Sequence, residues 1–554
     1  MHVSAAQLLR RARQVAVRFP LAQLMAQTTF AVSEVHSADK LKHFWTQDEP
    51  TSAVAFDSGF QLFQKPFRCC VVSKLLDLKA GDGPLGALRR EVDRLQLNEI
   101  NNDLYQFQQS EDLGALDPLR FPALAAFREF LRTELLEWTR QMTGFELVDE
   151  LSSTVSLYGH GDTLLCHDDR LERRRVAFVY YLVDSSWSAA DGGAFDLFAS
   201  DARGQPVEVA RSILPQENQL VFFEVSPSSY HQVAEVLSRS KARLSINGWF
   251  YGPPSDGDAA AGRKENPSVV SPRSPNAVVA DDNESAVLDA PHELDMDYDE
   301  FVSWLNPCYV AEQTQSDIRT AFEQNSEIEL RDFLQRDKYE SLEKEMLAAN
   351  WTPHFVPNKK RVDRLCVGAE TALVARCRRL FQSEAMLLLL SQLTGLPLHT
   401  FGSADDADEP STAEPSAKRA RSLASRSATG EAAVASSTCA FARFQHGSYT
   451  LLDDEKARHA HAKGHRLGAQ LYFTKDQWNT KWGGCTSVVA AGEEEELLTV
   501  VPRANSLTLV YKDPQTMSFV KYVNARAGAA SFAACTATYW PQGGAADATT
   551  DECS

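Results

Sequence analysis

Apolar side chains recur along this chain with two periods, and the switches between them mark out segments. Between Pro118 and Thr143, Leu119, Phe121, Leu124, Phe127, Leu131, Leu135 and Trp138 fall mostly three to four residues apart. That spacing predicts one long amphipathic helix, with Gly144 placed to end it. A shorter helical stretch is expected around Leu85 to Leu95. From Glu146 to Gly252 the pattern changes to short β-rich runs separated by Gly, Pro, Asp and Ser, clearest at 176–183, 220–223 and 244–250. Folded character is expected to start near Phe67, with a strand at Arg68-Cys69-Cys70-Val71-Val72. Helical spacing resumes at Phe301-Val302-Ser303-Trp304-Leu305 and runs in segments to about Leu396, and a final β-rich region ends near Trp540. Several short strands with turn signals between them argue a barrel or sandwich.

Three stretches lack either period. Residues 253–297 are rich in Pro, Ser, Asp and Glu and read as an acidic linker that cannot bury enough surface to offset its ordering entropy. Residues 402–437 read as a disordered low-complexity insertion, in which Lys418-Arg419-Ala420-Arg421 resembles a nuclear localisation signal or is simply solvated charge. Residues 1–50 read as a leader. Its first 33 residues contain no acid and carry Arg10, Arg11, Arg13 and Arg18, a composition that fits an organelle transit peptide or a solvated basic helix. Glu493 to Glu496 is expected to be an exposed turn.

Composition narrows the class. A chain of 554 residues exceeds what one core supports, so two or more domains are expected. The net charge of −19 argues against direct nucleic-acid binding and favours a basic protein partner. Ten cysteines without a CxxC pair point to reduced thiols in the cytoplasm or nucleus. With no run of 18 apolar residues, no membrane span is expected.

The two halves repeat one another. A helix ends at Gly144 in the first and at Gly395 in the second. Gly161-Asp-Thr-Leu-Leu-Cys-His-Asp-Asp then matches Gly447-Ser-Tyr-Thr-Leu-Leu-Asp-Asp-Glu, Gly192-Gly193 matches Gly483-Gly484, and Pro215-Gln-Glu-Asn-Gln-Leu matches Pro502-Arg-Ala-Asn-Ser-Leu. The fold class is therefore α+β, with two tandem double-stranded β-helix (jelly-roll) domains, each with flanking helices. The first is expected at 51–252 and the second, degenerate one at 298–545. In that second copy His167 becomes Asp453, Asp169 becomes Glu455, His231 falls on Ser518 and Arg243 falls near Ser531.

Those four first-half residues carry the candidate chemistry. His167 and Asp169 are followed 62 residues later by His231 and after 12 more by Arg243 and, two on, Ser245. Two imidazoles and one carboxylate on one face of a metal leave the opposite face open, the arrangement non-haem Fe(II) uses to bind a cosubstrate and O2 together. Strand alternation puts His167 and Asp169 on one face with Asp168 facing out, which selects Asp169 over its neighbour. Zinc or manganese can occupy such a triad as well. Arg243 and Ser245 share a strand face, and the guanidinium fork suits a carboxylate. Tyr181 and Tyr158 are candidate hydroxyl donors to the same ligand. An oxygenase acting on another protein or a small molecule, and an interaction platform built on both barrels, remain alternatives.

Asn102-Asp103-Leu104-Tyr105-Gln106-Phe107-Gln108-Gln109-Ser110, Leu164-Leu165-Cys166-His167-Asp168-Asp169, Tyr230-His231-Gln232-Val233-Ala234-Glu235-Val236-Leu237-Ser238 and Arg243-Leu244-Ser245-Ile246-Asn247-Gly248-Trp249-Phe250 resemble the ribosomal prolyl 3-hydroxylase family. The resemblance implies Fe(II) on His167, Asp169 and His231. It implies 2-oxoglutarate against Arg243 and Tyr181 with Tyr158 nearby, O2 as second cosubstrate, and ascorbate as reductant. It implies C3 hydroxylation of one proline in the small-subunit ribosomal protein at the decoding centre. Asn102, Asp103, Tyr105 and Gln108 would then border the substrate channel or cover the barrel.

Overall fold

The computed structural model describes residues 30–38, 41, 42, 45, 54, 55, 59–76, 83–253 except 172, 298–399 except 367, and 435–541 except 453–463, 476 and 494. The basic helix around Arg10 to Arg18, the acidic linker from 254 on, the insertion with Lys418 to Arg421, and Asp453 and Glu455 lie outside them. The chain divides into two compact units, Met1–Ala277 and Val278–Ser554.

In the first unit, β1 (Val54–Ala55), β2 (Phe60–Phe63), β3 (Cys69–Ser73), β4 (Asn98–Asn101), β5 (Tyr105–Gln109), β6 (Leu151–Tyr158), β7 (Thr163–His167) and β8 (Arg174–Tyr181) come first. Then follow β9 (Phe195–Ser200), β10 (Pro206–Ile213), β11 (Gln219–Glu224), β12 (His231–Val233) and β13 (Arg243–Tyr251). They form one curled sheet in the order β1-β2-β3-β11-β8-β13-β6-β5-β7-β12-β9-β10, with β4 beside β5. Every named pairing in it is antiparallel. Non-consecutive neighbours such as β8 between β11 and β13 are the signature of the jelly roll.

Alternation along the strands decides what faces what. Tyr180 and Phe222 point outward to the helices, where Phe127 lies 5.0 Å from Tyr180 and Trp138 lies 5.5 Å from Phe222. Their neighbours Tyr181 and Phe223 therefore point into the barrel. The covering helices are α1 (Gly83–Val92), α2 (Pro122–Phe130) and α3 (Leu136–Thr143). The helix predicted from Pro118 starts later, because Pro122 takes its first turn and Leu119 is left exposed. A single π-type turn at Leu131–Leu135 interrupts it, and Gly144 ends it in the left-handed conformation, φ 72°.

Two expectations fail at the N-terminal side. Folded structure begins well before Phe67 and inside the stretch read as leader. Phe30, Leu41 and Trp45 are buried, Trp45 stacks on Phe222 at 5.7 Å, and Trp138 Nε1 donates to the His36 carbonyl at 2.7 Å. The apolar spacing of 30–45 is too irregular for a periodicity search, although its large rings fill the helix-sheet core.

The second unit repeats the plan. Its helices are α4 (Tyr298–Trp304), α5 (Glu312–Asn325), α6 (Arg336–Ala348), α7 (Ala372–Phe381) and α8 (Glu384–Thr394). Its strands are β14 (Glu327–Arg331), β15 (Thr352–Val356), β16 (Lys360–Arg364), β17 (Ser436–Phe444), β18 (Tyr449–Thr450) and β19 (Arg466–Phe473), then β20 (Thr486–Ala490), β21 (Glu496–Val500), β22 (Ser506–Lys512), β23 (Thr516–Val520) and β24 (Phe532–Trp540). Glu496 is not in an exposed turn, since it opens β21 and pairs with Lys521 at 2.6 Å.

Registers fix the correspondence between the units. His231 pairs with Leu197 as Ser518 pairs with Val488, so Ser518 does replace His231. Arg243 pairs with Tyr158, and its counterpart Phe532, next to Ser531 as expected, pairs with Phe444. Phe532 sits in an aromatic cluster, 5.0 Å from Phe444 and 4.8 Å from Trp478. A ring thus fills the space that a guanidinium fills in the first unit.

Candidate active site

β7 ends at His167, and the chain turns at once. Asp168 Oδ1 accepts from the Arg170 amide at 3.0 Å, and Asp169 adopts a left-handed conformation, φ 61°. Asp169 therefore reaches the barrel interior through a turn rather than by strand alternation. Asp168 does not face out, as alternation had suggested; it is only 1% exposed.

The three expected ligands come together. His167 Nε2 lies 3.5 Å from one Asp169 carboxylate oxygen and His231 Nε2 lies 3.4 Å from the other. One ligand atom from each residue lies within 4.8 Å of the others, and among the described residues no other group of three His, Cys, Asp or Glu does so. The pairing of β7 with β12 sets His167 directly opposite His231. Each imidazole is held by its far nitrogen: His167 Nδ1 donates to the Leu165 carbonyl at 2.7 Å and His231 Nδ1 to the Ser229 carbonyl at 2.8 Å. Both Nε2 atoms are thereby left as neutral donors aimed at a shared point, which is what a divalent cation requires.

Electrostatics agree with that geometry. Burial alone would push the Asp169 carboxyl up, but the two imidazoles facing it hold it well below the usual carboxylate range. Burial, and then the charge of His167, lower His231. The donors thus include a carboxylate and, at His231, an imidazole that burial keeps neutral, a set that fits iron(II).

Arg243 opens β13 and is 1% exposed. Its Nε donates to the Gly193 carbonyl at 2.9 Å and its Nη2 to the Tyr181 hydroxyl at 3.2 Å, while its guanidinium carbon lies 5.0 Å from the ring centres of both Tyr158 and Tyr181. A Cβ at Gly193, φ 67°, would stand 2.9 Å from Arg243 Cδ, so only glycine lets the arginine through. Among the described residues no carboxylate pairs with Arg243. A buried cation satisfied only by neutral oxygens is a seat for an incoming carboxylate. Burial foremost, countered by Arg243, raises the Tyr181 hydroxyl, which stays protonated and able to donate.

The remaining expected residues separate. Ser245 is fully buried, but its hydroxyl donates to Asn247 at 2.8 Å, and Asn247 in turn donates to Ser156 at 2.9 Å. Tyr158 stacks on Phe107 at 4.5 Å. Tyr105 is buried near Asp169, whose charge adds to burial in raising its hydroxyl. Asn102 closes the β4–β5 turn, its side chain accepting from the Leu104 and Tyr105 amides, and Asp103 is buried beside it. Gln108 is exposed on the opposite strand face and does not join the site.

Sequence reasoning missed three supports. Ser229 donates through Oγ to the Asp168 carbonyl at 2.9 Å while its own carbonyl holds His231, tying the two ligand segments together. Phe195 and Phe223 pack on the His231 ring at 5.0 and 4.7 Å. The Ser-Ser-Tyr-His run offered a signal for Ser229, because a serine two residues before a ligand is placed to brace it.

Residues 153–251 match the 2OG-Fe(II) oxygenase superfamily, and residues 296–542 match the oxoglutarate and iron-dependent oxygenase degradation C-term family. The chain is 36% identical to prolyl 3-hydroxylase OGFOD1 of Xenopus laevis, over 91% of each chain. The chain belongs to the prolyl 3-hydroxylase family. It is also 34% identical to prolyl 3-hydroxylase OGFOD1 of Mus musculus, over 91% of this chain and 92% of the relative. Prolyl 3-hydroxylase sudestada1 of Drosophila melanogaster is 29% identical over 87% of this chain and 84% of its own. This family's oxygenases depend on 2-oxoglutarate and iron, and the fully formed triad lies in the segment matched to the oxygenase superfamily.

Proposed function

We propose that this prolyl 3-hydroxylase acts on one proline of the small-subunit ribosomal protein at the decoding centre, with iron(II) held by His167, Asp169 and His231. The observation that carries the site assignment is the buried Arg243, without a carboxylate partner among the described residues, in the same barrel as the triad. Iron with 2-oxoglutarate and O2 supplies the oxidation of a prolyl C–H bond, with succinate and CO2 as co-products and ascorbate as the reductant that maintains iron(II). The protein's residues bind and orient. Arg243 and the Tyr181 hydroxyl take the far carboxylate of 2-oxoglutarate, and Tyr158, stacked on Phe107, walls the pocket. Phe195 and Phe223 keep water from the His231 side. The net charge of −19 supports a basic ribosomal protein as partner.

The test is incubation of the purified chain with Fe(II), 2-oxoglutarate, ascorbate and a peptide from that ribosomal protein, read by mass spectrometry. The expected result is one added oxygen on proline with the parent protein and none with His167→Ala. An equal shift in both overturns the site assignment, and no shift with the parent overturns the substrate.

A further inference from the structure

Among its described residues, the second unit carries positive charge beside the counterpart of His231. Lys512 ends β22 and donates from Nζ to Ser518 Oγ at 2.8 Å, and Ser518 is the counterpart of His231. Directly opposite Lys512 in the β19–β22 register stands Arg466. Its guanidinium donates to two backbone carbonyls, that of Asp513 at 3.3 Å and that of Thr516 at 2.7 Å.

Neither cation has an ion pair with a described carboxylate. The adjacent acid, Asp513, accepts from the Thr516 hydroxyl at 2.6 Å, and Lys521 is already paired with Glu496. His465 lies flat against Tyr511, 5.4 Å between ring centres. Burial first, and then the neighbouring charge of Arg466, lower the Lys512 ammonium to about 8. Two partly buried cations on facing strand positions repel one another unless an anion joins them. The counterpart position in the first unit, Val225, is apolar, so the fold itself does not require a lysine here.

We propose that the second unit binds a small oxyanion, a carboxylate or a phosphate, between Lys512, Arg466 and Ser518. The position that holds a metal-ligating His231 in the first barrel thus borders an anion seat, at Ser518, in the second. Lys512 supplies a point charge, Arg466 a planar fork and Ser518 a hydroxyl, which together match an oxyanion with several acceptor oxygens.

The test uses the full chain carrying Arg243→Met, which disables the carboxylate seat of the first unit. Inorganic phosphate and succinate are titrated separately by calorimetry. The expected result is saturable binding of at least one of them, weakened about tenfold or more by Lys512→Met and by Arg466→Gln, as loss of a charge-assisted hydrogen bond implies. Ser518→Ala, which removes only one oxygen, gives a smaller loss and guards against misfolding of the other variants. No saturable binding of either probe, or binding unchanged in folded Lys512→Met protein, overturns the proposal. The first-unit assignment stands or falls separately, on peptide hydroxylation.

Discussion

Replacing Arg243 by methionine separates two roles that a buried arginine can have. In the ligand-free protein the Gly193 carbonyl and the Tyr181 hydroxyl would each lose a donor, at about 1–3 kcal/mol apiece. Against this, a cation without a described carboxylate partner is removed, and the desolvation so relieved is several kcal/mol, roughly the same size. The methionine stem still fills the space between the Tyr158 and Tyr181 rings. The melting temperature should therefore stay near that of the parent.

Cosubstrate binding has no such compensation. A 2-oxoglutarate carboxylate would lose two charge-assisted hydrogen bonds, about 3 to 6 kcal/mol together, or roughly a 10²- to 10⁴-fold rise in Kd. The assay is anaerobic calorimetry of 2-oxoglutarate with the iron-loaded protein, alongside melting curves without ligand. Arg243→Lys restores the charge without the planar fork and should recover only part of the affinity. Unchanged 2-oxoglutarate affinity in the folded methionine variant would refute the assignment of Arg243 as carboxylate anchor.

Ser229→Ala cuts the link between the Asp168 and His231 segments and should weaken iron binding roughly tenfold, the usual effect of removing a ligand's support; equal iron affinity would show that the turn holds itself. His231 is lowered by burial and by His167, so the folded state disfavours its protonated form: its contribution to stability is complete above 6.5 and is lost as pH falls through the lower folded value. An NMR titration of the metal-free protein should place its midpoint below 6.5, and a midpoint above that would contradict the burial argument. Lys512→Met should raise the melting temperature at neutral pH, because the fall from 10.5 to about 8 corresponds to at most about 3 kcal/mol of penalty. That penalty is present below pH 8 and disappears as pH climbs to 10.5, so a gain that persists at alkaline pH would point to packing instead.

The triad, Arg243 and the duplication were legible because each rests on spacing, and spacing survives from sequence to strand register. What spacing does not encode is where a strand stops. His167 and Asp169 look like alternate positions of one strand, yet β7 ends between them and a left-handed Asp169 supplies the second ligand. The right residue was selected through the wrong geometry, and the price of that error was Asp168, placed outside when it is buried. The same limit left the counterpart of Arg243 only near Ser531, since counting through loops of unequal length is looser than the Phe532–Phe444 register. Residues 30–45 were missed for a different reason: Trp45 and Phe30 fill gaps in a helix-sheet core by shape, and shape leaves no period.

The second unit shows how such a site is lost without loss of the barrel. Exchanging His231 for Ser518 alone would leave an empty polar hollow, and exchanging Arg243 for Phe532 alone would press a ring into a charged pocket. Both exchanges occur, and each has a companion: Lys512 reaches Ser518, and Phe444 and Trp478 close around Phe532. The carboxylate seat became apolar core, worth keeping for stability through ring packing. Beside Ser518 the described side chains instead became cationic, which core packing does not require and which repels a divalent ion. Selection for stability accounts for the first change and not for the second, and that asymmetry is the reason to look for a ligand at Lys512 rather than to treat the second barrel as inert.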